Sequence, residues 1–152
     1  MSSMPRLLTV VILAALGACA GDDDGDTVIN CDLEDRDDEF LAGMQKVGAG
    51  GTTFTLLSAT PSPPGRDNNT WVIDISTAGG PFTGAVEVVP FMPDHRHGTP
   101  IEVIVTPDAN TPGRFDAAPI NLWMPSLWEI TVRATPAIGT ADSAVFRFCI
   151  AG

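Results

Sequence analysis

Basic residues are scarce in this chain: eight Lys and Arg stand against nineteen Asp and Glu, for a formal charge of −11. No stripe of Lys and Arg is available to neutralise phosphates, which argues against nucleic acid as a partner. Histidine is rarer still, with two in the whole chain. There is no G-x-S-x-G, no reactive cysteine and no pair of acids in a setting that would perturb them, so the chain reads as a non-enzyme. The longest apolar run, residues 7–16, is ten residues long and too short to cross a bilayer as a helix. No repeat is long enough to be a domain duplication.

What is present begins at the N-terminus. Arg6 precedes the apolar run, and small residues then lead directly into a cysteine, Leu16-Gly17-Ala18-Cys19. A positive charge, a short apolar segment and a small-residue site make residues 1–18 a signal peptide. The four residues resemble the lipobox of bacterial lipoproteins. The resemblance implies cleavage before Cys19 and lipid on its sulfur, hence a membrane as partner; two or three acyl chains anchor stably where one holds only marginally. The alternative is an ordinary secretory signal in which the cysteine falls by chance, although that would favour an A-x-A-like site. Ala20, rather than Asp, resembles the sorting signal of Gram-negative outer-membrane lipoproteins. The expected place is the cell envelope, on the periplasmic side of the outer membrane.

Residues 20–39 hold ten acids and one base, Arg36. Like charges at that density repel and cannot bury apolar surface, so residues 19–39 are read as an acidic tether. From Phe40 onward nine acids face six bases, a net of −3, and the low pI describes the tether more than the domain. With Cys19 assigned to lipid, Cys31 and Cys149 remain. An even pair in an exported chain reads as a disulfide, and their separation of 118 positions rules out a CxxC redox or metal pair.

Residues 40–152 suffice for one domain with one core. A short helix is expected at 38–47 (DEFLAGMQKV), with acids in its first turn and Gly48 just beyond it. Everything after reads as strands cut by Pro, Gly, Asn and Asp: 52–58, 70–76, 85–91, 101–106, 113–118, 127–134 and 144–150. Trp71, Ile73 and Ile75 alternate with Asp74; Trp128, Ile130 and Val132 alternate with Glu129, Thr131 and Arg133. About seven short strands in a domain of this size predict an all-β fold, an immunoglobulin-like antiparallel β-sandwich. Its expected core is Trp71, Val86, Val88, Ile104, Trp128, Ile130 and Phe146.

One stretch has residues suited to chemistry. His95 and His97 lie in Met92-Pro93-Asp94-His95-Arg96-His97, and two of the three methionines beyond the signal share a setting, Phe91-Met92-Pro93 and Trp123-Met124-Pro125. Proline holds the residue before it extended, so each Met-Pro marks a strand end or loop, and in a sandwich these gather at the rims. Imidazole and thioether make a soft-to-borderline donor set that suits Cu(I), with Cu(II) open as well. The candidate ligands are Met92, His95, His97 and Met124. Zinc catalysis is weaker, because it wants three firm ligands and only Asp94 joins the two histidines. The plain alternative is a polar loop beside methionines that fill core gaps.

Met92-Pro93-Asp94-His95-Arg96-His97-Gly98, then Pro112-Gly113-Arg114-Phe115, then Trp123-Met124-Pro125-Ser126-Leu127-Trp128 resemble in order the motifs of the YtkA-like/FixH-like family. The likeness covers roughly residues 49–152. It departs at Ser126 and Arg96, where the family commonly has glycine; the first alters the turn before Trp128, and the second sets a charge beside the candidate ligands. The resemblance implies an exported, membrane-tethered immunoglobulin-like sandwich. It also implies copper handling, since FixH-like members are associated with copper supply to respiratory oxidases, with a protein partner in that process or in the envelope. A non-catalytic interaction module with no metal is the rival expectation.

Overall fold

A strand that alternates apolar and polar residues has one face to bury, and two such sheets satisfy each other by packing face to face. The computed structural model describes residues 29–152, so the signal peptide, Cys19 and the tether before residue 29 lie outside the described residues. Ten strands follow in chain order: β1 (Met44–Val47), β2 (Thr53–Thr60), β3 (Asp67–Thr77), β4 (Gly80–Pro81), β5 (Gly84–Met92), β6 (His97–Gly98), β7 (Ile104–Pro107), β8 (Arg114–Leu122), β9 (Ser126–Pro136) and β10 (Asp142–Ile150). They form two antiparallel sheets, β1-β2-β3-β8-β7 with β4 hairpinned onto β3, and β10-β9-β5-β6. The fold is an all-β sandwich. Six of the seven expected runs are strands with small shifts at their ends, the seventh, 101–106, is strand only from Ile104 onward, and β1, β4 and β6 are short additions.

Two expectations are corrected. Residues 38–47 are not a helix: Met44–Val47 is β1, paired with β2 from Met44↔Leu56 to Val47↔Thr53. Gly43 (φ 84°) breaks the helical path in the middle of this stretch, and a ten-residue helix without a packed face is marginal in water. The open edge of β2 supplies hydrogen bonds instead. Ile104 is not in the core but 66% exposed. It pairs with Ala118, whereas Val105 pairs with the fully buried Ala117 and takes the inward face. A one-residue difference in register decides which side chain points in. β8 also runs beyond the expected 118, through Pro119, because that proline falls where β3 bulges between Asn69 and Trp71 and the ladder is already interrupted.

Trp71 sits at the centre of the core, fully buried. Phe146 and Phe148 of the opposite sheet meet it edge-on, with ring centroids 6.0 and 5.7 Å away, the arrangement the ring quadrupoles favour. Around it pack Phe54, Leu56, Ile73 and Ile75 from one sheet and Val88, Trp128, Ile130 and Val132 from the other.

One lateral side of the sandwich is closed by the N-terminal segment. Cys31 and Cys149 are disulfide-bonded, with Cα atoms 5.5 Å apart, as the cysteine count predicts. Asp38 then docks on the outer edge of β10: its amide donates to the Arg147 carbonyl (2.8 Å), and its carboxylate accepts from the Arg147 amide (2.7 Å) and pairs with Lys46 of β1. Asp142, at the start of β10, accepts from the amides of Thr52 and Ser143 at 2.9 Å and so fixes the turn before β2. Burial raises the Asp142 carboxyl pKa, but the amide donors of Thr52, Gly50 and Ser143 outweigh it and leave the pKa below its ordinary value.

Two outcomes are expected. Reducing the disulfide opens a 118-residue loop and lowers the unfolding free energy by as much as about 4–5 kcal/mol, read from urea midpoints with and without dithiothreitol. Because the folded Asp142 pKa is depressed, the unfolded state binds more protons in acid. Its contribution is complete above the unfolded value of about 4 and is lost as pH falls through the lower folded value. Asp142→Asn therefore flattens part of the acid limb of a stability–pH profile.

Candidate functional site at the hairpin rim

Pro93, Asp94, His95 and Arg96 form the turn between β5 and β6, and Met92 and His97 face each other across it. The Arg96 amide closes the turn by donating to the Met92 carbonyl at 2.7 Å. Arg96 adopts φ 57°, a left-handed conformation that costs a side-chain-bearing residue about 1–2 kcal/mol. Glycine adopts that conformation without the cost.

The turn brings the two imidazoles together, with ring centroids 5.9 Å apart. A metal–nitrogen bond of about 2 Å puts an ion about 3.2 Å from each ring centre, so two rings on one ion stand roughly 5 to 6.4 Å apart. The histidine pair fits that span. His97 is oriented further. Its Nδ1 lies 3.0 Å from the Gly98 carbonyl, which can only accept, so the neutral ring donates from Nδ1–H and leaves the lone pair on Nε2. A ring nitrogen tied to a backbone carbonyl is the usual support of a metal-binding histidine.

Trp123, in the β8–β9 connection, stacks on His97 with centroids 5.8 Å apart and planes 28° from parallel. Its carbonyl accepts from Arg66 Nε of the β2–β3 loop at 3.2 Å. Asp94 is turned toward the N-terminal segment, where its two carboxylate oxygens accept from Arg36 Nη1 and Nη2 at 2.8 Å each. Arg36 also holds Glu34, through Nε and Nη2 at 2.7 Å. These bonds to the guanidinium hold the Asp94 and Glu34 carboxyls below their ordinary pKa values.

The expected ligands thus divide. His95 and His97 are together, His95 exposed and His97 half-buried against Trp123. Met124 is half-buried against the core, and its carbonyl accepts from Trp128 Nε1 at 2.9 Å. Met92 is fully buried beside Val88 and Pro90 on the inner face of β5, so an ion reaches its sulfur only if the sandwich opens. Among the described residues, no group of three or more His, Cys, Asp and Glu is placed to hold a metal ion; what the turn brings together is a pair of histidines. Sequence reasoning passed over Trp123 and Arg36 as site residues. The aromatic before Met-Pro pointed to the first, and the single base in an acidic stretch pointed to the second.

No family model, no curated protein and no solved structure matches this chain.

Arg96→Gly relieves the left-handed strain at the cost of chain entropy, so it raises unfolding stability by up to about 1 kcal/mol. A thermal or urea melt measures this directly.

Proposed function

We propose that this chain is a lipid-anchored protein of the cell envelope whose immunoglobulin-like sandwich, related to the YtkA-like/FixH-like family, binds copper transiently and passes it to a partner protein. The observation that carries the reading is the pair of neighbouring imidazoles at the β5–β6 turn, 5.9 Å apart, His95 exposed and the half-buried His97 with its Nδ1 already engaged by a carbonyl. Two imidazoles make a borderline donor set, and Met124 is the thioether at the same rim; together they favour Cu(I) over hard cations. A site with few protein donors on a turn releases its ion readily, which suits delivery rather than storage. His95 and His97 hold the ion in this reading, Trp123 covers one ring, and the Arg36–Asp94 pair steadies the turn. The lipobox-like Leu16-Gly17-Ala18-Cys19 supports the anchor, at the periplasmic side of the outer membrane, and the acidic tether supports a domain held off the bilayer. In this reading the role is one of binding.

Titrating the purified protein with Cu(I) against a competing chelator tests this. His95→Ala/His97→Ala lowers the affinity by at least about tenfold, while Met92→Leu leaves it unchanged because that sulfur is sealed in the core. Unchanged affinity in the double variant removes copper and leaves a non-catalytic interaction module of the envelope.

A further inference from the structure

The two lateral sides of the sandwich differ. On one, the edge of β10 is covered by Asp38 and tied down by the disulfide. On the other, β5 and β7 are both left open: β5 has β9 on one flank but β6 on the other only at Phe91 and Met92, and β7 is the last strand of its sheet. Between these two edges lies a groove of about 500 Å³, lined by β5 from Val86 to Pro90, by Val105 of β7 and by the crossing segment 98–103.

The backbone of β5 faces this groove in a definite way. In an antiparallel ladder, alternate residues turn their N–H and C=O to opposite flanks. Met92 directs its carbonyl to the turn side, where Arg96 donates to it. Pro90, Val88 and Val86 share that parity, and Pro90 has no N–H that β9 could miss. The amides and carbonyls of Val86 and Val88 therefore point into the groove. Among the described residues, no backbone hydrogen bond reaches them from the crossing segment. Apolar side chains stand exposed around the opening, Val89 at 53%, Ile101 at 41% and Ile104 at 66%. An unpaired edge flanked by apolar surface is the template for strand addition.

We propose that this groove takes up an extended segment of a partner protein, bearing Lys or Arg, as an added strand on β5. Charge selects this occupant. Glu87 and Glu102 line the groove, and no basic residue does. A second copy pairing through its own β5 would set Glu87 against Glu87, and residues 20–28 of the chain carry four acids and no base; like charges placed opposite one another disfavour both. The added strand lies in line with β6 and completes the sheet β10-β9-β5. Alternate side chains of the guest enter the space between the sheets, and its cations reach the two glutamates. The proposal stands independently of any metal at His95 and His97.

The probe is an acetylated, amidated six-residue peptide of alternating valine and lysine, added to the full chain in detergent. It binds, and amide exchange at Val86 and Val88 slows. The same peptide methylated at every backbone nitrogen keeps its charge but has no donors, and it binds at least tenfold more weakly. Val88→Pro removes one groove-facing N–H without touching the β9 ladder and weakens the unmodified peptide at least tenfold. Glu87→Lys/Glu102→Lys does the same through charge, and it decides the matter should Val88→Pro fail to fold. Equal binding of the methylated peptide, no slowing of exchange at Val86 and Val88, or displacement of the peptide by self-association of the protein overturns the proposal.

Discussion

Two sheets in this protein bury alternate residues against one another around Trp71, and the position of every loop follows from that contact. Because Trp71 meets Phe146 and Phe148 edge-on, the centre of β3 is locked against the end of β10. That contact sets where the strands stop. At one rim the β5–β6 turn, the β8–β9 connection and the segment holding Arg36 come together, so His97 stacks on Trp123 while Asp94 meets Arg36. The histidines are neighbours because they sit on a tight turn. Their surroundings are supplied by parts of the chain that are far apart in sequence.

A sandwich of two open sheets has lateral edges to protect, and this one treats its two sides differently. Asp38 and Asp142 spend their carboxylates on backbone amides along the β1–β10 side. Such bonds satisfy donors that would otherwise invite pairing with another chain. The β5–β7 side has no comparable cover, and its strand edge carries a proline and two glutamates nearby. Proline and charge are the devices by which an open edge resists indiscriminate association, which is consistent with an edge kept available for a selective partner.

Much of the architecture was legible in the residues. Trp71-Val72-Ile73-Asp74-Ile75 and Trp128-Glu129-Ile130-Thr131-Val132 announce their inward faces by simple alternation, and Cys31 and Cys149, the pair left once Cys19 was set aside, form the expected disulfide. Failures came where tertiary pairing outweighed local preference. Residues 38–47 have the composition of a helix, yet Gly43 and the vacant edge of β2 made a strand the better solution. Ile104 and Val105 are equally apolar, and only pairing with β8 determines which one turns inward. At the candidate site, periodicity could place His95 and His97 on a turn, and Pro93 supported that. It could not show that Met92, the register partner of His97, falls inside the seal of the core, nor that Arg36 reaches across 58 positions to Asp94.

The disulfide has a mechanical meaning as well. Cys31, near the start of the described residues, is covalently joined to the last strand. Tension applied at Cys31 is therefore shared between two exits, the segment running toward β1 and the sulfur bridge into β10. β10 is held to β9 by nine consecutive paired residues, from Asp142↔Ala134 to Ile150↔Ser126. The short strand β1, with four paired residues, is thereby spared from bearing the load alone. A domain pulled at Cys31 in this way resists being peeled open strand by strand, and the Arg36–Asp94 pair links the same segment to the rim that carries His95 and His97.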